Sequence, residues 1–239
     1  MKKLAIRIMA VRKRQAIVER LLKQLNLTEK HVFYDDEGLG CIGNALRIWG
    51  TPLEHDETHL LVLQDDVEVV DDFVEIANIC INQFPKAIFG YFNYVLRNED
   101  KINNSPYVLM RNCNVKGESI LMPKEYINGY IAFYEENLKA LNYPHDDATC
   151  RMYALLNDIP VFSTIPCLVN NLCPTDSVMG HNDANHYSRV WMGKTVDVQQ
   201  FKTKEYSLSR YFPIVTHLPK HNELNIRVKE KIAERKRIM

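Results

Sequence analysis

The sequence predicts an α/β fold in which a mostly parallel central sheet is flanked by helices, a Rossmann-like arrangement. Short apolar stretches with strand character alternate with longer stretches whose apolar residues recur every three or four positions. Residues 60–63, in the middle of the predicted strand 58–64, form a continuous apolar run, which is typical of a strand buried on both faces of a parallel sheet. The 239 residues, 46% apolar and 25% charged, suit one such globular domain and exclude fibrous or disordered proteins.

Each element follows from its own local pattern. The predicted strands are residues 3–11, 31–34, 58–64, 87–92 and 160–165, and the predicted helices are residues 12–25, 44–49, 71–84, 123–138, 146–157 and 222–237. Pro123 is expected in the first turn of its helix, where its missing amide costs no hydrogen bond. The polar residues 97–106 predict a loop, and residues 166–193 show little periodicity.

Nothing in the sequence predicts an integral membrane segment or a secretory signal. No apolar run approaches the roughly 20 residues that span a bilayer. Arg7 and residues 12–14 interrupt the apolar N-terminal stretch. The six cysteines lack zinc-type spacing, so free thiols and a cytoplasmic location are expected.

The net charge of zero hides a strong asymmetry along the chain. Residues 1–30 carry nine Lys and Arg against two Glu, whereas residues 35–75 carry twelve Asp and Glu against Arg47 alone. Residues 227–239 are basic again. This pattern predicts either a cation site bordered by an anion-attracting rim or simply solvated charged faces.

Two carboxylates, Asp65 and Asp66, directly follow the buried strand 58–64. Open α/β sheets bind ligands at the carboxyl ends of their strands, and adjacent carboxylates resist desolvation unless a cation is present. Oxygen ligands of this kind suit Mn²⁺ or Mg²⁺. The residues alone leave open a metal site and an acidic strand–loop junction without metal.

Three further polar clusters could carry chemistry. Asp146 and Asp147 begin a predicted helix; we expect Asp146 to cap it, which leaves Asp147 available as a general base. His181, in the aperiodic region, would form a mixed nitrogen and oxygen cation site with the strand-end pair. Asp35 and Asp36 follow a predicted strand, where they either contact a ribose or base edge or form a plain turn.

Six segments carry these residues in a recognisable order: Ile8 to Arg14, Tyr34 to Glu37, Gly40 to Trp49, Leu63 to Asp66, Gly117 to Pro123, and Asp146-Asp147 followed by Arg151. Their order and spacing resemble the GT-A class of nucleotide-sugar glycosyltransferases, above all small phage and bacterial members related to families 2 and 25. The likeness covers roughly residues 4–192. Gln64 departs from the acidic residue at the first place of the DxD-type element, which affects nucleotide choice rather than metal binding.

The resemblance implies a role for each matching residue. Asp66 would bind the divalent cation, Mn²⁺ or Mg²⁺, that bridges the donor diphosphate, and His181 would be a second ligand of the metal or the diphosphate. Asp147 would deprotonate the acceptor hydroxyl. A single base opposite the leaving group implies inversion, with retention left open. The residues expected beside the donor, most simply a UDP-sugar, are Val11, Arg12, Asp35, Asp36, Asn44, Arg47 and Asp65.

The resemblance also implies one catalytic domain over residues 1–221, with a donor half near 1–95 and an acceptor half near 96–221, followed by a basic helix over 222–239. The acceptor stays open between a hydroxymethylated pyrimidine of phage DNA, modified in the host cytoplasm, and a surface glycan or lipid-linked acceptor. A net charge of zero is unusual for an enzyme that acts on DNA. The basic residues that could contact its phosphates are Arg7, Arg12 to Arg14, Lys229, Lys231 and Arg235 to Arg237.

Two other function classes compete with glycosyl transfer. A nucleotidyltransferase of related architecture usually has a glycine-rich loop after its first strand, and residues 10–14 contain no glycine. A non-catalytic binding module would use the same acidic residues only to cap helices and solvate the surface. Binding tests with sugar nucleotides, with and without Mn²⁺, separate the module from the enzymes.

Overall fold

Strands and helices alternate along the chain, which confirms the α/β prediction. The computed structural model describes residues 3–96, 105–172, 188–209, 218–219 and 223–237. Its strands are β1 (Leu4–Ala10), β2 (Val32–Tyr34), β3 (His59–Gln64), β4 (Val67–Val69), β5 (Ile88–Gly90), β6 (Tyr107–Leu109), β7 (Ser119–Pro123), β8 (Val161–Thr164), β9 (Val169–Asn171) and β10 (Tyr206–Leu208). Its helices are α1 (Gln15–Leu25), α2 (Gly40–Gly50), α3 (Phe73–Gln83), α4 (Lys124–Asn137), α5 (Asp146–Leu156) and α6 (Glu223–Arg237).

A large mixed sheet forms the middle layer. Within the described ranges it has eight strands in the order β10-β6-β8-β5-β7-β3-β1-β2, while β4 and β9 pair separately. Four of its seven pairings are parallel, including those of β1 with β2 and β3, and β7 runs antiparallel between β3 and β5. The carboxyl ends of β1, β2, β3 and β5 therefore share one edge with the amino end of β7.

Helices cover both faces of the sheet and bury its side chains in two cores. Ile8 and Met9 of β1 point to opposite faces, as successive residues of a strand do. On one face α1 and α3 pack with residues such as Phe73, and on the other α2, α4, α5 and α6 share a core that includes Leu224 and Val228. No helix in the described part of the chain is both long and apolar enough to cross a membrane.

The helix α2 is fixed at both of its ends by side chains from neighbouring segments. The Asp35 carboxylate accepts the amides of residues 39–40 at 2.7 and 2.9 Å, where the helix begins. At the other end the buried guanidinium of Arg7, on β1, donates to the carbonyls of Ile48 and Thr51 at 2.6 and 2.7 Å. These contacts satisfy backbone groups that a helix terminus leaves unpaired. α2 is therefore tied to both β1 and the loop after β2.

The structure differs from the sequence-based expectations in three places. α2 begins at Gly40 and is much longer than the one or two turns expected over residues 44–49, because Asp35 binds the amides at its start. Pro123 ends β7 and precedes α4 instead of lying in its first turn. The sequence pattern also does not predict β4, β6, β7, β9 and β10, because such short apolar runs carry too little periodicity.

Candidate functional site

A pocket lies at the edge of the sheet where β1, β2 and β3 end, the position at which open α/β sheets bind ligands. Its volume is about 530 Å³, including the open mouth. Four of the residues that the sequence predicts for the donor or the metal line it, namely Val11, Asp35, Asn44 and Asp66. The other residues in its wall are Met9, Ala10, Arg14, Gly40, Cys41 and Gln64.

A buried arginine contacts both carboxylates at the end of β3. The Arg14 Nη1 atom lies 2.8 Å from Asp65 Oδ1 and 2.7 Å from Asp66 Oδ2, and all three side chains are at most 7% exposed. Arg14 is the last residue of the short 3-10 helix between β1 and α1. The end of β1 therefore sets the position of its side chain. The acidic pair thus has a cation from the chain itself, which offsets part of its desolvation cost.

Asp65 holds the connection after β1 in place. Its Oδ2 accepts the Val11 amide at 2.7 Å, while its Oδ1 accepts from Arg14 at 2.8 Å. Both oxygens therefore bond to the segment that forms one wall of the pocket. This geometry gives Asp65 a positioning role, and its contact with a donor stays a prediction, as does that of Val11.

Asp66 has an oxygen that no described residue satisfies. Its carboxylate lines the pocket and is buried, yet Oδ1 receives no hydrogen bond from the described residues. Burial raises the pKa of Asp66 to about 6, although the nearby Arg14 charge opposes that rise. Mg²⁺ and similar cations often bind through one or two carboxylates and take their other ligands from water and substrate phosphates. The Oδ1 atom, unpaired among the described residues, is chemically suited to such a cation, and metal binding there stays a prediction.

The second expected metal ligand, His181, lies outside the described residues. Within the described ranges, no group of three or more His, Cys, Asp or Glu side chains could hold a metal ion. A cation at Asp66 would therefore take most of its ligands from a bound substrate, from water or from residues beyond those ranges.

Asn44 and Arg47 tie α2 to the end of β2. The Asn44 side chain donates to the Phe33 carbonyl at 3.1 Å and accepts from Arg47 at 2.7 Å. Arg47 also donates to the Tyr34 carbonyl at 2.6 Å and lies 3.9 Å from the Glu37 carboxylate. These contacts give Arg47 a structural role, while its contact with the donor stays a prediction.

Arg12 and Asp36 form an ion pair beside the pocket residues Val11 and Asp35. Two hydrogen bonds of 2.8 and 2.6 Å join the exposed side chains. The Arg12 guanidinium also lies 3.8 Å from the centre of the Tyr34 ring. The hydrogen bond from Arg12 lowers the pKa of Asp36 below its ordinary value. Both residues are thus held near the end of β2, and their contact with a donor stays a prediction.

The acidic pair at the start of α5 is divided between the interior and the surface. The capping position is held by His145, so the expectation that Asp146 caps the helix is wrong. Asp146 is buried; its Oδ1 accepts the Asp147 amide at 2.8 Å and lies 3.5 Å from the Sγ atom of the pocket residue Cys41. Burial, reinforced by the Asp147 charge, raises the pKa of Asp146 to about 7. The Asp147 side chain is 29% exposed, and its Oδ1 accepts the Ala148 amide at 2.7 Å.

The segment before β7 lies between the end of β3 and the acidic pair of α5, a contact that the sequence does not reveal. Lys116 Nζ lies 3.9 Å from Asp147 Oδ2. A Cβ atom on Gly117 would come within 2.9 Å of Gln64 Nε2 and 3.1 Å of Asp146 Oδ1, so a larger residue here would displace these two side chains. The likeness of residues 117–123 to a family motif is the one signal that marks this segment in the sequence, and nothing local singles out Lys116.

Five of the basic residues that could contact DNA phosphates have partners among the described residues, and one of them is Arg12 through its ion pair with Asp36. Arg7 donates to backbone carbonyls at the end of α2, and Arg14 binds the strand-end carboxylates. Lys231 and Arg235 contact Asp158 at 2.8 and 3.1 Å. These contacts give part of the positive charge a structural role, and contact with a nucleic acid stays a prediction.

No protein-family model matches the chain, and no curated protein is significantly similar to it in sequence.

Proposed function

We propose that this protein is a metal-dependent glycosyltransferase of the GT-A type, which moves a sugar from a nucleotide-sugar donor to an acceptor hydroxyl. Asp66 carries the proposal: a buried carboxylate at the end of β3 lines a pocket and keeps one oxygen that no described residue satisfies. A buried acceptor of this kind calls for a cation or a donor group from a ligand. The family resemblance of the surrounding motifs supports a sugar nucleotide as that ligand.

On the donor side, the chain's residues would position the leaving diphosphate. Asp66 Oδ1 would hold Mn²⁺ or Mg²⁺, and a bound cation would neutralise the charge that develops on the leaving group. Asp65 and Arg14 keep Asp66 in place through their contacts of 2.7–2.8 Å. Asp35 and Asn44 fix the α2 wall of the pocket, against which the nucleoside would lie.

On the acceptor side, Asp147 would act as the general base. The acceptor oxygen attacks the anomeric carbon, the bond from that carbon to the diphosphate oxygen breaks, and the hydroxyl proton passes to Asp147. The bonding electron pair leaves with the nucleoside diphosphate. Asp147 suits this role better than Asp146 because its side chain is partly exposed whereas Asp146 is buried. One base opposite the leaving group gives inversion.

The cysteines and the basic residues bear on the compartment and on the class of acceptor. The five described cysteines are free thiols, which fits a reducing cytoplasm, or the cytoplasm of a host if the protein is viral. We favour a glycan or lipid-linked acceptor over DNA because buried or paired positions use much of the basic charge.

The proposal is tested with a panel of sugar nucleotides read by mass spectrometry, with glycans, lipid-linked acceptors and hydroxymethylcytosine DNA offered in separate arms. We expect sugar transfer with Mn²⁺, loss of transfer on chelation and loss in Asp66→Asn. The matched control is Asp71→Asn, which neutralises an exposed carboxylate two residues after β4 and should leave transfer unchanged. Consumption of nucleoside triphosphates alone would instead indicate a nucleotidyltransferase, and binding without turnover on any acceptor would indicate a binding module.

A further inference from the structure

We propose that Arg14 is a built-in counter-cation that competes with a divalent cation for the acidic pair, so that metal binds weakly until the donor diphosphate arrives. This inference rests on the proposed function and adds to it the order in which the donor and the metal bind. The observation behind it is the placement of one guanidinium nitrogen between Asp65 Oδ1 and Asp66 Oδ2, at 2.8 and 2.7 Å.

The charges within this cluster explain the competition. Two carboxylates and one guanidinium leave a single net negative charge in a place where the three side chains are at most 7% exposed. A divalent cation that bound beside them would be drawn by the carboxylates and repelled by Arg14 at short range, where burial makes both effects strong. A bound diphosphate adds further negative charge, which restores the attraction for the cation.

The hydrogen bonds that the acidic pair already accepts also weaken its binding of a metal ion. Both oxygens of Asp65 and one of Asp66 already accept hydrogen bonds from Val11 or Arg14. Asp66 Oδ1 is the oxygen of the pair that receives no hydrogen bond from a described residue. One protein oxygen is a poor site for a bare cation, whereas diphosphate oxygens would supply the further ligands.

Arg7 provides a matched control for Arg14. It is buried, as Arg14 is, but its guanidinium donates to the carbonyls of Ile48, Thr51 and Pro52 and contacts no carboxylate of the acidic pair. Replacing either arginine by glutamine removes a buried charge. Only the change at Arg14 removes the charge that faces Asp65 and Asp66.

The test is Mn²⁺ titration by calorimetry, with and without UDP as the diphosphate probe and with no turnover required. We expect Arg14→Gln to bind Mn²⁺ alone about tenfold more tightly than the wild type, with a smaller further gain from UDP. Arg14→Lys, which keeps the charge, and Arg7→Gln should match the wild type. Should Arg14→Gln not fold, Asp65→Asn is compared with Arg14→Gln/Asp65→Asn, which removes one charge of each sign, and the double variant should bind Mn²⁺ more tightly.

The outcomes separate this inference from the proposed function. Unchanged or weaker Mn²⁺ affinity on loss of Arg14, with binding that Asp66→Asn still abolishes, would overturn the inference and leave the metal site standing. Absence of Mn²⁺ binding in every variant, even with UDP, would overturn both.

Discussion

Two pairs of adjacent aspartates lie beside the same pocket, and the fold neutralises them in different ways. Asp65 and Asp66 share the Arg14 guanidinium at 2.7–2.8 Å. The surroundings of Asp146 and Asp147 differ: Lys116 Nζ lies 3.9 Å from Asp147, and Asp146 is buried beside a thiol and an amide. The first pair is thus neutralised by a cation from the chain itself, whereas burial raises the pKa of Asp146 in the second pair to about 7.

The difference shows that an acidic dipeptide has no fixed chemistry of its own. The environment of each pair comes from residues distant in sequence, namely Arg14 from the first turn after β1 and residues 116–117 from the segment before β7. We therefore expect substitutions in the two pairs to affect different measurements.

The largest expected effect is on metal binding, which should depend on the first acidic pair and not on the second. Asp66→Ala should abolish Mn²⁺-dependent donor binding, because it removes the carboxylate oxygen assigned to the cation. The fold should survive, since Arg14 keeps its contact with Asp65. Asp146→Asn should leave Mn²⁺ affinity as it is. Calorimetry with Mn²⁺ and UDP checks both, and donor binding with unchanged metal dependence in Asp66→Ala would show that the cation lies elsewhere.

The next effect concerns turnover. Asp147→Asn keeps the size of the side chain but cannot accept the proton, so kcat should fall by roughly 10² to 10⁴ with little change in donor affinity. Asp146→Asn should slow turnover much less, because Asp146 is buried behind Cys41. Steady-state kinetics of the two variants measure this difference in kcat. A larger fall in kcat for Asp146→Asn than for Asp147→Asn would make Asp146 the base.

A third effect is a pH dependence of stability that belongs to Asp146. Its pKa of about 7 in the folded chain exceeds the ordinary value of 3.8, so between these values the folded form keeps a proton that the unfolded form has lost. Stability therefore falls as the pH rises through this window, by about 1.4 kcal/mol per pH unit, and the loss is complete above about pH 7. Asp146→Asn should remove this dependence.

Urea unfolding of the wild type and of Asp146→Asn across the window measures that difference. Asp36→Asn is the control of opposite sign, because Arg12 lowers the pKa of Asp36 and its contribution is lost only as the pH falls below the ordinary value. A wild type and an Asp146→Asn variant with parallel stability curves would mean that Asp146 ionises in the folded chain as readily as in the unfolded one.

The smallest effect lies outside both pairs, at Arg47. Arg47→Met removes the hydrogen bonds to the Tyr34 carbonyl and Asn44 at 2.6 and 2.7 Å, and should lower the free energy of unfolding by about 1–3 kcal/mol. We expect the KM for the donor to change little. Thermal melting and donor kinetics are measured together; an unchanged melting temperature with a raised KM would place Arg47 on the donor instead.

The sequence predicts those parts of the fold that depend on local periodicity. The continuous apolar run of residues 60–63 predicts β3, the apolar face of residues 12–25 predicts α1, and Asp65 and Asp66 are placed correctly at a strand end. β7 is not predicted because its five buried residues, the last of which is Pro123, show no helical or alternating period.

The electrostatics of the site could not be predicted, for two physical reasons. Arg14 and Asp66 are 52 positions apart, and their pairing depends on the parallel register of β1 and β3. Asp146 and Asp147 differ by about 100° around the axis of α5, so one points inward and the other outward. Which of them is buried depends on how the helix packs against α2 and Gly117.

The anchoring of α2 has a consequence for how a ligand would be bound. A helix held at its first amides by Asp35 and at its last carbonyls by Arg7 is already ordered before any ligand arrives. Contacts on this wall then contribute to affinity without the entropic cost of ordering it.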